Sequence, residues 1–313
     1  MEVLFTFIPK EHQQKHLIEQ FPEVHFHFAY KDKMRLPSAD ILVTYGEDLA
    51  AADIESAEKL KWIMVASAGI EKMPHAAIAE RGIIVSNVKG IHKTPMTESV
   101  LAHLLALKRS LPFIYEKQRE KQWNRKTGSR ELYGSTALIL GPGAIGSEIG
   151  RLLQAFGVHT IGCNRSGKQA EHMEKMVRFD QILDTLPEAD AVISVLPSTN
   201  ETKHLLKKEH FQAMKKDAIF MNFGRGDLFE DEVLVEAMEN GEIGAAVLDV
   251  FNTEPLPPEH PFWDMGNVVI SPHASSHSGK YVERALEVFI PNLRKWLDEE
   301  SEPTNLVSLE KGY

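Results

Sequence analysis

The sequence predicts an α/β protein built from two domains, each organised around a parallel β-sheet. Short apolar segments alternate with helix-compatible segments along the 313 residues. The character of this alternation changes near Ile91 to Thr97, which indicates a domain boundary. The segment Gly141-Pro142-Gly143-Ala144-Ile145-Gly146 directly follows an apolar run and precedes a segment of helical character, as expected for a βαβ unit.

The first set of strand candidates lies before this boundary. Its members are short and apolar, and several are separated by more polar, helix-compatible stretches. They are Val3 to Ile8, Val24 to Ala29, Ile41 to Thr44, Trp62 to Ala66 and Ile83 to Ser86. Together with the C-terminal segment they predict a first domain over 1–97 and 283–313.

The second set of strand candidates is more regular. Its continuous apolar runs are typical of a parallel sheet that is buried on both faces. They are Ala137 to Leu140, His159 to Cys163, Ala191 to Leu196, Ala218 to Phe223, Ala245 to Val250 and Val268 to Ser271. These runs predict a second domain over 98–282.

Two long helices are predicted to connect the domains. Thr94-Pro95 fits an N-cap and a first helical position, and an apolar stripe follows over 100–107. The second helix, Tyr281 to Leu297, has apolar residues at helical spacing and should bend at Pro291. It would return the C-terminus to the first domain.

The three glycines at 141, 143 and 146 have the spacing of a dinucleotide-binding turn. The first permits a tight turn, the second lets the backbone approach a pyrophosphate, and the third lets the helix pack close to the strand. The anion would rest on free amides at the helix N-terminus, in Gly143-Ala144-Ile145-Gly146. We therefore expect two Rossmann-like or flavodoxin-like domains with a cleft between them, the second binding the dinucleotide.

The end of the next predicted strand favours NADP over NAD. An NAD site would usually place an acidic residue there, but the chain reads Asn164-Arg165-Ser166-Gly167-Lys168. Arg165, Ser166 and Lys168 offer a guanidinium, a hydroxyl and an ammonium that suit a 2′-phosphate. The alternative is a solvated basic loop that happens to lack an acid, so NAD stays open.

Composition narrows the class of partner. The chain is 43% hydrophobic and 26% charged, as in soluble globular proteins, and its net charge of −10 argues against nucleic acid or an anionic membrane. The single cysteine, Cys163, and the absence of a signal-peptide or membrane-span pattern predict a cytoplasmic protein. His12 and His16 have helical spacing. His25 and His27 would share a strand face, but neither pair has a third ligand nearby, so we expect no metal site.

Polar residues follow the apolar runs of the second domain. In an open parallel sheet, ligands collect at the carboxyl ends of the strands, so these residues are the candidates for a site. They are Pro197-Ser198-Thr199, Gly224-Arg225-Gly226, Asp249 and Ser271-Pro272-His273, with Glu254 five residues after Asp249.

An arginine, a carboxylate and a histidine beside a nicotinamide suit reversible hydride transfer to the carbonyl of a 2-oxo acid. Hydride builds negative charge on the carbonyl oxygen, so a protonated imidazole must supply a proton, and His273 is the candidate. Glu254 would orient that imidazole and favour its protonated form. Arg225 could clamp the substrate carboxylate and polarise the carbonyl. Each of these residues alone is more often a packing, loop or turn residue. Their joint placement after successive strands supports the catalytic interpretation.

The blocks Asn222-Phe223-Gly224-Arg225-Gly226-Asp227, Leu248-Asp249-Val250-Phe251, Glu254-Pro255-Leu256-Pro257 and Ser271-Pro272-His273 follow the glycine turn in this order. The chain thereby resembles the D-isomer-specific 2-hydroxyacid dehydrogenase family over nearly its whole length. The resemblance implies catalytic roles for the arginine, glutamate and histidine, and a homodimer built through the cofactor domain. It also implies substrate-binding amides at Ser67-Ala68-Gly69, and cofactor contacts at Leu196, Pro197, Thr202, Phe223, Gly224 and Asp249.

The Asn164-Arg165-Ser166 segment is similar to the NADP-preferring glyoxylate and hydroxypyruvate reductase branch of this family. The sequence therefore favours NADPH-dependent reduction of a small 2-oxo acid. After His273 the chain continues Ala274-Ser275-Ser276-His277, which departs from the commonest family pattern near the nicotinamide.

Two alternatives stay open. One is an NAD-linked 2-hydroxyacid dehydrogenase such as a short-form phosphoglycerate dehydrogenase, since we expect no appended regulatory domain after Tyr313. The other is a non-enzymatic dinucleotide sensor on the same scaffold, because fold alone does not separate sensors from enzymes.

Overall fold

The computed structural model divides into two compact units. The first comprises Met1–Ile91 and Ser278–Tyr313, and the second comprises His92–His277. The sequence had predicted these divisions a few residues later, after 97 and 282. The difference arises because the long helices at the two boundaries each lie whole within one unit. The structure describes residues 1–67, 69–70, 72–298 and 302–309.

The first unit is built on a five-stranded sheet in which every strand pair is parallel. Its strands are β1 (Glu2–Phe5), β2 (His25–Phe28), β3 (Ile41–Thr44), β4 (Trp62–Val65) and β5 (Ile84–Asn87). Their order, β2-β1-β3-β4-β5, is that of flavodoxin-like folds. This confirms the architecture predicted for the first domain.

The second unit is built on a seven-stranded parallel sheet. Its strands are β6 (Thr136–Leu140), β7 (His159–Asn164), β8 (Lys175–Arg178), β9 (Ala191–Ser194), β10 (Ile219–Asn222), β11 (Ala245–Leu248) and β12 (Val268–Ile270). Read from the other edge, the order β8-β7-β6-β9-β10-β11-β12 is the Rossmann order with one further strand. The predicted Rossmann-like architecture is therefore confirmed.

Strand β8 was missed by the sequence analysis. It lies at the edge of the sheet, and Val177 is its one buried residue. Because an edge strand needs few apolar residues, Lys175–Arg178 has no continuous apolar run by which it could be recognised.

Helices flank both sheets. In the described part of the chain they are α1 (Glu11–Gln20), α2 (Ala51–Ser56), α3 (His75–Glu80), α4 (Lys93–Lys108), α5 (Leu111–Arg119), α6 (Ala144–Ala155), α7 (Ile182–Thr185), α8 (Lys208–Ala213), α9 (Asp231–Glu239) and α10 (Tyr281–Asp298). None of these described helices has the length and apolar character needed to cross a membrane.

Helix α10 confirms the long C-terminal helix predicted from apolar spacing. Its Phe289 is fully buried in the first unit, with its ring centroid 5.4 Å from that of Phe5 and 5.8 Å from that of Trp62. The Trp62 indole donates a hydrogen bond of 2.9 Å to Ser86 Oγ. The helix is thus anchored on the central strands β1 and β4, which explains why it belongs to the first unit.

The carboxyl ends of the strands position the candidate site. Since every pair in the second sheet is parallel, the segments that follow β6, β9, β10, β11 and β12 begin at one edge of that sheet. These segments carry most of the residues that the sequence singled out.

Candidate active site

The glycine turn joins β6 to α6. Gly141 has a φ of +91°, which strains most other residues, and its N–H donates a hydrogen bond of 2.9 Å to the Cys163 carbonyl of β7. A Cβ on Gly146 would collide with the Gly141 carbonyl oxygen and lie 3.2 Å from Ile139 Cγ2. The third glycine therefore allows α6 to approach β6 closely.

The start of α6 fits an anionic group. The first amides of this 12-residue helix, at Ala144, Ile145 and Gly146, have no acceptor within the helix, and no side chain caps this described end. A Cβ on Gly143 would meet no atom within 4 Å, so the space before the helix is open. Because the amides carry partial positive charge, these residues could hold the pyrophosphate of a dinucleotide.

The basic loop after β7 is held in shape by its own side chains. Asn164 Nδ2 donates a hydrogen bond of 2.9 Å to the Lys168 carbonyl, and its Oδ1 accepts one of 3.1 Å from the Ser166 N–H. Arg165 is exposed and has an Nη1 3.3 Å from each carboxylate oxygen of Glu201. An exposed pair of this kind is weak, so Arg165 can be redirected to a ligand phosphate.

Arg178 is a further cation beside this loop that the sequence analysis missed. Its Cγ lies 2.9 Å from the position that a Cβ would take on Gly167, and its guanidinium is 3.0 Å from a carboxylate oxygen of Asp180. It is the last residue of β8, and because the strand was missed its proximity to the loop was missed as well.

The segment after β9 lies against the glycine turn. Leu196 is buried, and its Cδ2 is 3.2 Å from the position that a Cβ would take on Gly141. The Thr202 hydroxyl donates a hydrogen bond of 2.6 Å to the Pro197 carbonyl and accepts one of 2.9 Å from the Thr199 N–H. Thr202 therefore shapes this loop from within.

The turn that carries Arg225 is built by the buried side chain of Asn222. Its Oδ1 accepts a hydrogen bond of 3.1 Å from the Gly224 N–H, and its Nδ2 donates one of 2.8 Å to the Arg225 carbonyl. Phe223 is buried, and a Cβ on Gly224 would collide with the Leu196 carbonyl oxygen. The structure thus brings the turns after β6, β9 and β10 together.

His273 and Glu254 form a pair. The imidazole Nδ1 lies 2.8 Å from Glu254 Oε2, and Oε1 of the same carboxylate accepts a hydrogen bond of 3.1 Å from the Phe251 N–H. The His273 side chain is 49% exposed, so a ligand can reach it. Because Glu254 engages Nδ1, Nε2 is the ring nitrogen that a ligand could contact.

Asp249, implied as a nicotinamide contact, is buried and bonded to the segment after β12. Its carboxylate accepts backbone hydrogen bonds of 3.0 Å from Ala274 and 3.1 Å from Ser275. It also accepts hydrogen bonds from the hydroxyls of Ser271 and Ser275. The carboxylate is therefore tied to the segment that carries His273.

Two histidines of α4 and its N-cap lie near the predicted residues, and the sequence analysis missed both. Burial, followed by the positive charge of Arg225, lowers the pKa of His92 to about 4. Burial also lowers the pKa of His103, although the nearby Asp249 carboxylate opposes that shift. Histidine on a helix is commonly exposed or packed, so their spacing carried no functional signal.

The predicted substrate segment belongs to the first unit. Ser67 follows β4 closely, and its hydroxyl donates hydrogen bonds of 2.8 Å to the Gly69 carbonyl and 3.2 Å to the Tyr45 carbonyl. Ala68 lies outside the described residues.

Cys163 is fully buried, as expected of a small packing residue. Burial, with the nearby charge of Asp180, raises the pKa of its thiol to about 12. Among the described residues, no group of three or more His, Cys, Asp or Glu side chains could hold a metal ion.

Several known sequences are similar to this chain. Residues 101–275 match the profile described as D-isomer specific 2-hydroxyacid dehydrogenase, NAD binding domain. The chain is 34% identical over 281 residues to a glyoxylate reductase from Aeropyrum pernix, covering 87% of this chain and 84% of that protein. It is 32% identical over 266 residues to a D-3-phosphoglycerate dehydrogenase from Methanocaldococcus jannaschii, covering 84% of this chain. The chain spans only 51% of the length of that second protein.

A solved structure has the same fold. It is that of a D-isomer specific 2-hydroxyacid dehydrogenase family protein from Aeromonas salmonicida subsp. salmonicida. The TM-score is 0.88 at 30% sequence identity, and the match covers 98% of this chain and 99% of that chain.

The two glycines at the start of α6 can be separated by substitution. Gly146→Ala should lower the free energy of unfolding by about 1–3 kcal/mol, because its Cβ collides with the Gly141 carbonyl. Gly143 has a φ of −82° and open space around its Cβ position. The free energy of unfolding of Gly143→Ala should therefore stay within about 0.5 kcal/mol of wild type. It should nevertheless weaken dinucleotide binding at least about tenfold, because the methyl fills the approach to the amides. Urea denaturation measures the free energy of unfolding, and titration followed by NADPH fluorescence measures dinucleotide affinity. Unchanged NADPH affinity in Gly143→Ala would contradict a dinucleotide site at the start of α6.

The depressed pKa of His92 predicts a pH dependence of stability. The pKa of the His92 imidazole is 6.5 in the unfolded chain and about 4 in the folded protein. At pH values between these two, the unfolded imidazole binds a proton that the folded one does not. The free energy of unfolding should therefore fall as pH falls through this window, by up to about 1.4 kcal/mol per pH unit for this group. His92→Gln should flatten this slope in urea titrations at several pH values, whereas the exposed His277→Gln should leave it unchanged. Equal slopes in wild type and His92→Gln would contradict the assignment.

Proposed function

The chain belongs to the D-isomer specific 2-hydroxyacid dehydrogenase family, and we propose that it reduces a small 2-oxo acid to the D-2-hydroxy acid with a nicotinamide dinucleotide. The observation that carries this proposal is the contact of 2.8 Å between His273 Nδ1 and Glu254, in the same unit as the glycine turn and Arg225. This arrangement supplies a proton donor, its orienting carboxylate and a fixed positive charge.

The proton comes from His273. When bound, the reduced nicotinamide supplies the hydride that the carbonyl carbon accepts. His273 donates a proton from Nε2 to the carbonyl oxygen as negative charge builds there. Glu254 fixes the ring through Nδ1, while the Phe251 N–H holds the carboxylate in place.

Arg225 binds the substrate carboxylate. Its guanidinium can form two parallel charge-assisted hydrogen bonds to a carboxylate, which fixes the orientation of the 2-oxo acid. The Asn222 side chain holds the turn on both sides of Arg225, so the guanidinium starts from a rigid backbone. Ser67 and Gly69 are further proposed substrate-binding residues, in the first unit.

The cofactor is NADP in preference to NAD. The pyrophosphate would rest on Ala144, Ile145 and Gly146. Arg165, Ser166 and Lys168 would hold the 2′-phosphate, and Asn164 keeps their loop in shape. The absence of a carboxylate from 164–168 supports this preference, since an NAD site uses an acid for the ribose hydroxyls.

Glyoxylate or hydroxypyruvate is the proposed substrate. The similarity to a glyoxylate reductase over most of both chains supports this choice. A second candidate is NAD-linked oxidation of a hydroxy acid such as phosphoglycerate, which the similarity to a phosphoglycerate dehydrogenase favours. The two share their catalytic residues and differ in cofactor and direction.

A homodimer in the cytoplasm is the proposed state of the protein. Large apolar side chains are exposed on and after α5 in the second unit, with Trp123 94% and Tyr133 77% exposed. Exposed aromatic residues of this kind are typical of surfaces that another chain covers. The single buried cysteine suits a reducing compartment.

The proposed reaction is tested by initial rates of NADPH and NADH oxidation with glyoxylate, hydroxypyruvate, pyruvate and a branched 2-oxo acid. We expect NADPH to be preferred and one small acid to stand out. His273→Ala should lower kcat about 100- to 10,000-fold, because the proton donor is gone, with NADPH binding within about twofold of wild type.

The exposed His277→Ala serves as the matched control and should keep wild-type turnover. Turnover unchanged in His273→Ala would remove the proton-donor assignment. Turnover only with NADH would support the NAD-linked candidate, and tight cofactor binding without turnover of any acid would point to a sensor.

The cofactor preference is tested by Arg165→Ala. The KM for NADPH should rise about 10- to 100-fold, because a charge-assisted hydrogen bond to the 2′-phosphate is lost, while the KM for NADH stays within about threefold. Arg151→Ala removes another exposed arginine, which is paired with the mostly buried Glu148 on α6, and should change neither value. Equal losses with both cofactors in Arg165→Ala would refute the 2′-phosphate role.

A further inference from the structure

His273 has an unusual backbone conformation. Its φ is +51°, in the left-handed region that side chains seldom adopt. The His273 N–H donates hydrogen bonds of 2.8 Å to the Asp249 carbonyl and 2.9 Å to the Ser271 carbonyl. The backbone that carries the imidazole is therefore held by contacts to the residue after β11.

The side chain of Asp249 holds the same segment. This residue is 1% exposed, and its carboxylate accepts four hydrogen bonds from Ser271, Ala274 and Ser275. A buried carboxylate is stable only when hydrogen-bond donors replace its lost water. Each donor from this segment therefore serves both to replace the lost water and to fix the segment.

Ser275 supplies two of these donors. Its N–H bonds Asp249 Oδ1 at 3.1 Å, and its hydroxyl bonds Oδ2. Its own carbonyl accepts a hydrogen bond of 3.2 Å from the Ser99 hydroxyl of α4. Ser275 is 4% exposed and so links β11, α4 and the histidine segment in the interior of the second unit.

We propose that Ser275 is a positioning residue for His273, acting through the Asp249 carboxylate. The Ser275 hydroxyl is the one donor to Oδ2 among the described contacts, so removing it leaves that oxygen short of a partner. The carboxylate and the segment then shift to regain a donor, and the imidazole loses its fixed position relative to Glu254.

The kinetic part of this inference rests on the proposed function, and the structural part does not. Ser275→Ala should lower kcat about 10- to 100-fold, because small displacements of a catalytic group have effects of this size. The KM for the 2-oxo acid and the Kd for NADPH should stay within about threefold, since Ser275 is buried and presents almost no surface to either ligand. Ser275→Cys keeps a side chain of the same shape but replaces the hydroxyl by a thiol, which is a weaker hydrogen-bond donor. Its kcat should therefore lie between those of wild type and Ser275→Ala.

The structural readout is amide hydrogen exchange of peptides covering 271–277 in the protein without substrate. We expect faster exchange there in Ser275→Ala, and wild-type exchange in the rest of the chain. The matched control is Ser276→Ala, whose hydroxyl is not among the described donors to Asp249 and which should behave as wild type in both measurements. If Ser275→Ala does not fold, Ser275→Cys provides the comparison.

Two results would overturn the inference. One is unchanged kcat and unchanged exchange in Ser275→Ala. The other is weaker NADPH binding with unchanged kcat, which would make the Asp249 carboxylate a cofactor contact. A wild-type protein that turns over no 2-oxo acid would refute the proposed function alone, and the exchange comparison would then decide the role of Ser275.

Discussion

Parallel pairing in the second sheet is the constraint on which the candidate site depends. With every strand running in the same direction, the turns after β6, β9, β10 and β11 all begin at one edge. Close packing then holds these turns together, because Leu196 lies against Gly141 and Gly224 has no room for a side chain. A single antiparallel strand in this region would carry its polar turn to the opposite edge.

Burial at the carboxyl ends of these strands determines the surroundings of two titratable side chains of the second unit. Asp249 is buried with hydrogen-bond donors in place of water, whereas burial and the Arg225 charge lower the pKa of His92 to about 4, so this ring is neutral at neutral pH. The guanidinium of Arg225 therefore has no second cation at His92 to compete with at neutral pH.

Much of the fold could be predicted from the sequence because buried parallel strands are continuous apolar runs, and the glycine turn has a distinctive spacing. The contact between Glu254 and His273 was also anticipated, since both follow strands that end at one edge. The edge strand β8 was missed because one buried residue suffices there, and Arg178 was missed with it. His92 and His103 were missed because burial by tertiary packing lowers their pKa values, and their position along a helix does not reveal that burial.

The His273–Glu254 pair raises a question of how an exposed pair can be placed accurately. Its two side chains are 49% and 37% exposed, which suits the proposed proton transfer to a ligand, but exposed ion pairs contribute little free energy and little rigidity. The order must then come from the backbone on either side of the pair. The Phe251 N–H fixes Glu254, and the buried Asp249 fixes the segment of His273. Accessibility and precision are thus supplied by different groups, with the imidazole of the proposed proton donor at the surface and its support in the core.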